Sequence, residues 1–464
     1  MAQARGNAAL AAVIAQTGWS HAQAARAFAR VAVESGAAEL AGVGKSHVTH
    51  WIGGSRPSGR APQILCETLS RRLGRVVTLD EIGLAADAAA SSPAAADWGV
   101  DTLVALADLG RYDTDMDRRT ALGAAVYSMA ALALPDDPWW ARMADRGAAR
   151  AAAGARAVGR GDLDAVRDMV GLFSRVDQRR GGGHARTAVV QYLTSDVASY
   201  LRGHFPDERV RRGMFCAASE LAYLSGWMAF DNAEHPVAQR YFTLAVKLAA
   251  EADDPPMAGH VLRAMAHQAV DLGHPKHALD LAAASIDGPR YTQASPRERA
   301  LLQVVHARAL AAAGDRQAAA TALLRAEDDL AATSPGDDEP ARVFFFGEAS
   351  LAHETACTLR GLGDLPGATR QFRRSVATRK AATFTRTHAV TLGYLGAVQA
   401  RHGSIEEACA TWSRSLDAMD GIRSGRTRQV AADMRSVLSQ FRHRGIRAVT
   451  GLDARAATYL STSG

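Results

Sequence analysis

The sequence predicts an all-α protein in which a small helical domain precedes a long array of paired helices. One reason is composition: the chain is rich in alanine, with 48% hydrophobic, 22% charged and only 6% aromatic residues, a mixture that favours helix. Another is that small residues recur at fixed spacing through the second half, with turn residues between them. The 464 residues also exceed what one core accommodates, so two or more folding units are expected.

The start of the chain predicts four short helices. Asn7 and Ser20 are candidate N-caps of the first two, and Gly18 and Gly36 would end them. The third covers residues 45–52 and ends at a Gly-Gly pair. The fourth has leucines four residues apart: Leu65, Leu69 and Leu73. This region, residues 1–84, holds nine Lys or Arg against five Asp or Glu, while the whole chain carries only +6. Such a local basic excess indicates a polyanionic partner.

The segment 48–57 joins an aliphatic residue, a tryptophan, two glycines and an arginine followed by proline. With the four helices, it resembles the phage-repressor-type, or Xre-like, helix-turn-helix. The block through Thr78 is similar to a large group of regulators from high-GC Gram-positive bacteria. These regulators carry the same insertion that replaces the usual tight turn here, residues 31–41. The resemblance implies that residues 1–84 bind double-stranded DNA.

In such a domain the third helix enters the major groove. Val48 and Trp51, three residues apart, turn into the core, and the other side chains point outward toward base edges: Lys45, Ser46, His47, Thr49 and His50. The resemblance places three further residues beside phosphates: His21, Arg56 and Arg60. The alternative is a helical bundle that contacts protein, with its basic residues merely solvated.

Residues 85–96 are alanine and serine with one proline, and predict a linker. Residues 97–205 predict helices that cannot be placed in register with the later repeat.

From about residue 206 onward the chain repeats itself. A small residue is followed by an alanine twelve positions later and by another small residue seven after that, with polar or glycine turns between. The five instances are Gly226, Ala238 and Ala245; Ala266, Ala278 and Ser285; Ala307, Ala319 and Ala326; Ala356, Ala368 and Ser375; and Gly396, Ala408 and Ser415. An aromatic or aliphatic residue often lies four positions after the middle alanine, as at Phe242, Leu323, Phe372 and Trp412.

This spacing resembles the packing positions of the tetratricopeptide repeat, in which small side chains let antiparallel helices approach closely. The period is about forty, against the usual thirty-four, so the units are degenerate. The resemblance implies a tetratricopeptide-like α-solenoid over residues 206–464. Residues 425–442 suit a terminal capping helix, with Arg426, Arg428 and Arg435 facing away from its apolar stripe.

In a solenoid of this kind the first helix of each pair lines the concave face. Counting from the small residues gives a candidate ligand-binding groove: Tyr223, Trp227, Arg263, His267, Arg308, His353, Arg360 and, one step aside, Tyr394. Aromatics at one end and cations further along suit a peptide or a small acidic ligand. Equally, these residues could make structural hydrogen bonds between helices.

Other chemistry finds little support in the sequence. The segment 179–186 has three glycines flanked by arginines, which suits either an anion contact or a helix-breaking loop. No nucleophile-base-acid set or metal-spaced cluster appears, so neither enzyme activity nor a cofactor is expected. Four scattered cysteines predict reduced thiols, and no apolar run predicts a membrane span or a signal peptide, so a cytoplasmic location is expected.

Taken together, these patterns predict a DNA-binding transcription regulator whose repeat domain dimerises and senses a peptide or small-molecule effector. The architecture resembles peptide-pheromone-sensing regulators and, more closely, regulators of development and secondary metabolism in high-GC bacteria. The alternative is a non-enzymatic adaptor or scaffold that uses its repeats to bind a partner protein.

Overall fold

The computed structural model describes residues 6–73, 75, 77–84, 98–114, 127–150, 156–334, 336–441 and 447–462. Over these residues the fold is the predicted all-α repeat architecture, with a lone bridge between Ala157 and His204 as its only β pairing. The chain divides into two compact units, residues 1–136 and 137–464. The predicted linker, residues 85–96, lies outside the described residues.

The first unit contains five described helices: α1 Ala8–Gln16, α2 His21–Glu34, α3 Lys45–Ile52, α4 Ala61–Leu73 and α5 Thr102–Thr114. Asn7 caps α1 by accepting from the backbone N–H of Leu10, at 2.9 Å. Ser20 and Gln23 form a reciprocal capping box on α2. The helices α1 to α4 enclose one apolar core, whose centre is Leu10, Phe28, Val48, Ile64 and Leu69.

The segment between α2 and α3 begins as the sequence predicts. Helix α2 ends at Glu34, just before Gly36, so the first residues of the predicted insertion, 31–34, form the last turn of the helix. Gly36 then takes a left-handed conformation (φ +69°), and a short 3₁₀ turn covers Ala38–Leu40 before α3 begins.

The second unit is helical throughout its described part. Its helices are α6 Asp137–Arg150, α7 Arg160–Arg180, α8 Gly182–Tyr192, α9 Ala198–Leu201, α10 Glu208–Asp231, α11 His235–Glu251, α12 Pro255–Asp271, α13 Pro275–Ser285, α14 Pro289–Thr292, α15 Pro296–Ala312, α16 Arg316–Ala331, α17 Glu348–Gly361, α18 Leu365–Thr378, α19 Thr385–Arg401, α20 Ile405–Ala418, α21 Gly425–Ser439 and α22 Arg447–Thr462.

The five small-residue triples fall on five packed helix pairs: α10 with α11, α12 with α13, α15 with α16, α17 with α18, and α19 with α20. The alanines and serines of the triples are fully buried. At Gly226 an added Cβ would lie 2.8 Å from the ring of Phe242, and at Gly396 it would lie 2.5 Å from that of Trp412. The aromatic residue after the middle alanine therefore packs onto the small residue of the partner helix, which explains the spacing.

The C-terminal cap differs from the prediction in two respects. Helix α21 is present, but α22 packs on its apolar stripe through Val449, Leu452 and Ala456. Arg426 also does not face away: it pairs with Asp271 at 3.2 Å. The repeat array therefore ends in a pair of helices, α21 and α22, rather than in a single capping helix.

The four cysteines are free, as expected. Within the described residues, no helix combines the length and apolarity needed to cross a membrane.

Candidate functional site

Helix α3 presents a polar surface, called here the α3 face: Lys45, Ser46, His47, Thr49 and His50. All five are exposed, while Val48 and Trp51 from the same helix are buried in the core of the first unit. The orientation expected from the sequence is therefore present.

Two members of the α3 face are held by local hydrogen bonds. His47 accepts from the backbone N–H of Gly44 at the start of the helix, at 3.2 Å. The Thr49 hydroxyl donates to the Lys45 carbonyl at 3.0 Å and lies 3.0 Å from Nδ1 of His21. These hydrogen bonds hold the side chains of His47 and Thr49 in place on α3.

The predicted phosphate contacts Arg56 and Arg60 have structural tasks in the first unit. Arg56 donates to the Leu84 carbonyl at 2.9 Å, and Arg60 donates to the Ser35 carbonyl at 2.7 Å. Two exposed arginines that the sequence analysis did not select, Arg26 and Arg30, lie on α2.

The second unit closes on itself. The junction, called here the clasp, joins residues 179–186 to residues 423–426. The Arg423 N–H donates to the Arg180 carbonyl at 2.8 Å, and the Gly183 N–H donates to the Arg423 carbonyl at 3.0 Å. The Gly182 N–H donates to the Asp231 carboxylate at 3.0 Å. The glycine-rich segment thus binds the far end of the repeat array.

The clasp needs glycine for reasons of space. A Cβ on Gly181, Gly182 or Gly425 would lie under 3.0 Å from neighbouring backbone atoms, those of Arg423, Met228 and Asp231 respectively. Gly181 also has a φ of +84°, which side-chain-bearing residues rarely adopt.

A buried ion cluster lies beside the clasp. Arg386 of α19 donates to Asp177 of α7 at 2.9 Å and to Asp231 of α10 at 2.7 Å. All three side chains are at most 5% exposed. Burial raises the pKa of Asp177 to about 6, although Arg386 opposes that shift.

Inside the closed unit lies a small cavity of about 90 Å³, called here the inner cavity. Five of the predicted ligand residues line it: Tyr223, Trp227, Arg263, His267 and His353. On another side lies a larger opening of about 680 Å³, called here the groove, lined by the remaining three: Arg308, Arg360 and Tyr394. The single predicted site is therefore two, which share Asp231 and Arg426 in their walls.

Most of these predicted residues also make structural contacts. Arg308 pairs with Asp271 and with Glu354, each at 2.8 Å. Nδ1 of His353 lies 2.9 Å from the Thr391 hydroxyl, and burial lowers the pKa of this histidine to about 3.

Arg263 and Arg360 differ, because neither has a carboxylate partner among the described residues. Arg263 donates to the Tyr223 hydroxyl at 2.9 Å, and Arg360 stacks 4.5 Å from the ring centre of Tyr394.

Several residues of the two sites were missed from sequence. They include Asp177, Arg342, Phe344, Phe345, Phe346, Arg379, Arg386 and Arg401. They lie on helix α7, on helix ends or on the 341–347 turn, outside the register of the small-residue triples. Arg386 and Asp177 are 209 residues apart in sequence. The one sequence signal near these residues is the glycine cluster in segment 179–186, because clustered glycines often mark a place where two backbones approach closely.

The first unit matches a family model over residues 10–85, described as the SP15 N-terminal domain. Comparison with curated proteins finds no match.

Among solved structures, the chain is similar to the kinesin light chain TPR-like repeats of Podosopora anserina and to a point variant of the same repeats. Each has 17% identity and a TM-score of 0.33, and covers 45% of this chain and 97% of that one. It is also similar to a Rap protein complexed with competence and sporulation factor, at 12% identity and a TM-score of 0.36, covering 65% and 100% of the two chains. Values this low imply no shared ligand or partner.

Fold and sites together define an all-α repeat protein that carries an exposed polar helix face in one unit and two openings, inner cavity and groove, in the other.

Proposed function

We propose that this protein is a non-enzymatic adaptor whose repeat unit binds an acidic segment of a partner protein in the groove. The observation that carries the proposal is a pair of arginines in the groove wall, Arg360 and Arg401, with no carboxylate partner among the described residues. Arg401 is exposed, and Arg360 is partly exposed above Tyr394.

The charges of the groove support an acidic partner. Of its three carboxylates, Asp231 and Asp271 are engaged by arginines, the first by Arg386 and the second by Arg308. The third, Asp433, accepts a hydrogen bond from the side-chain amide of Gln429 at 2.8 Å. Arg360 and Arg401 therefore keep their charge available for incoming carboxylates, with which guanidinium groups form strong paired hydrogen bonds. The opening of about 680 Å³ is in the range that ligand sites occupy.

The test is fluorescence anisotropy of the full-length protein with a labelled library of Asp- and Glu-rich peptides at fixed ionic strength. Replacing both Arg360 and Arg401 by methionine is expected to weaken binding at least about tenfold, since each lost charge pair contributes roughly 1 kcal/mol or more. The control is Arg373→Met on α18, whose exposed arginine pairs with Glu407 outside the groove. Equal binding by the double variant and the wild type would contradict the proposal.

A second function is favoured by the α3 face: sequence-specific binding of double-stranded DNA by the first unit, which would make the protein a transcription regulator. Lys45, Ser46 and His50 project from an exposed helix whose opposite side is anchored by Val48 and Trp51. Short polar side chains on a helix of this kind can reach base edges in a major groove. A homodimer with two such helices would read two half-sites, with an effector altering their spacing.

DNA binding is tested by selecting sites from a random duplex pool with the full-length protein. At a selected site, Ser46→Ala and His50→Ala are expected to cost about 1–3 kcal/mol each and to relax base preference. Lys45→Ala should likewise relax base preference, and because it removes a positive charge it should also reduce the slope of log K against log salt by about one. A selection that enriches no sequence would contradict sequence-specific DNA binding.

A further inference from the structure

The wall of the inner cavity carries an excess of positive charge. Five arginines line it, against three carboxylates: Arg263, Arg342, Arg379, Arg386 and Arg426, with Asp177, Asp231 and Glu354. Each of these carboxylates is already paired, the two aspartates with Arg386 and Glu354 with Arg308. Carboxylates outside the wall pair with two more arginines, since Glu298 reaches Arg342 and Asp271 reaches Arg426.

That pairing leaves Arg263 with no carboxylate in direct contact among the described residues; Glu298 lies beyond His260, 3.2 Å from its Nδ1. The side chain is 2% exposed. Its Nη2 donates to the Tyr223 hydroxyl at 2.9 Å and lies 3.0 Å from Nε2 of His260, both uncharged partners. Its Nε is buried with no hydrogen-bond partner.

Arg379 likewise has no carboxylate in direct contact among the described residues, although the negative charge of Glu354 offsets part of the cost of its burial. It is 7% exposed, and its Nη2 donates to the Ala349 carbonyl at 2.9 Å and to the Ser375 hydroxyl at 3.1 Å. Its Nε is likewise buried and unpartnered. Burial lowers the pKa of Arg379 to about 10, which still leaves the guanidinium charged at neutral pH.

A buried guanidinium that lacks a counter-charge costs several kcal/mol, and arginine cannot escape the cost by losing its proton. Two such groups line the inner cavity, whose volume of about 90 Å³ exceeds what a single water needs. We infer that the inner cavity is a binding site for a compact oxyanion, a carboxylate or phosphate group, whose charge is neutralised by Arg263 and Arg379. This inference does not depend on the function proposed for the groove.

The test measures thermal unfolding of the full-length protein with inorganic phosphate or propionate replacing chloride at constant ionic strength. Wild-type protein is expected to gain at least about 2 °C in Tm from one of the two anions, because a ligand that binds only the folded state stabilises it. Arg379→Met should lose that gain. It should also unfold at the same or a higher temperature than the wild type in chloride alone, because it removes a buried charge that has no partner.

The control is Arg373→Met, which removes an exposed arginine outside both the inner cavity and the groove and should keep the full response. This control matters because phosphate stabilises many proteins by exclusion from their surface. If Arg379→Met fails to fold, Arg379→Lys serves instead, with an expected loss of affinity of at least about tenfold because lysine cannot form the paired contact. The inference is overturned if neither anion acts beyond chloride, or if the Arg379 variant responds as the Arg373 variant does.

Discussion

The two units differ in where their candidate functional side chains lie. The first unit encloses an apolar core around Phe28 and Val48 and leaves the α3 face to solvent. The second unit buries charges, among them Arg263, Arg308 and Arg386. An exposed polar side chain costs little free energy of folding, so binding to a partner alone can determine which residue is present. A buried charge must be satisfied by other parts of the fold, so its role depends on residues far away in the chain.

The strongest test of this contrast removes a charge from the buried cluster. Arg386→Met leaves the carboxylates of Asp177 and Asp231 buried without their partner, and is expected to lower the free energy of unfolding by about 3–5 kcal/mol. Urea unfolding of the full-length protein measures the loss. Arg373→Met breaks an exposed pair with Glu407 and should cost less than about 1 kcal/mol. Similar losses for the two variants would show that burial is not what matters.

A second test addresses the clasp. In Gly182→Ala the new Cβ would overlap the backbone of Met228, so we expect a loss of about 1–3 kcal/mol in the free energy of unfolding. Gly161→Ala is the matched control, since no atom lies within 4 Å of its added Cβ, and this helical position should be neutral or gain up to about 1 kcal/mol. Equal stability of the two variants would mean that the junction is not closely packed.

The third test uses pH, which acts on buried histidines of the second unit. Burial lowers the pKa of His260 and of His353 to about 3, from 6.5 in the unfolded chain. Between those values the unfolded chain binds more protons, so stability is complete above about pH 6.5 and falls as the pH drops. Each histidine should cost about 2 kcal/mol between pH 7 and pH 5.

Two features of the unit bear on that measurement. Asp177 acts in the opposite sense, because its raised pKa of about 6 favours the folded state as the pH falls from 6 toward 4. At His260, burial lowers the pKa more than the carboxylate of Glu298, 3.2 Å away, raises it. The specific check is therefore His353→Gln, which should remove its share of the loss, whereas His402→Gln at an exposed site should not. A pH profile that His353→Gln leaves unchanged would contradict the assignment.

The smallest expected effect lies on the α3 face. His50→Ala should change the free energy of unfolding by no more than about 0.5 kcal/mol, because the side chain is exposed. Its neighbour Trp51 is 8% exposed and packs 5.3 Å from the ring centre of Phe28, so Trp51→Ala should cost about 3–5 kcal/mol. A large loss in His50→Ala would mean that the α3 face is structural.

Much of the fold followed from local pattern. The triples that begin at Gly226 and end at Ser415 mark five helix pairs, because helical geometry places residues at these spacings on one face. The inward turn of Val48 and Trp51 followed in the same way. The end of α2 was also local: the sequence predicts that Gly36 stops the helix, and the helix ends at Glu34.

The sequence by itself determined the all-α class, the paired helices and which side of α3 is exposed, because each depends on residues within one helix or one neighbouring pair. Only the tertiary structure decided that the repeat unit closes through the clasp and that the predicted groove divides into two sites. Closure joins Gly183 to Arg423, and Arg386 to Asp177, across more than 200 residues. No local periodicity encodes such pairs, because they depend on the accumulated angles of all the helices between them.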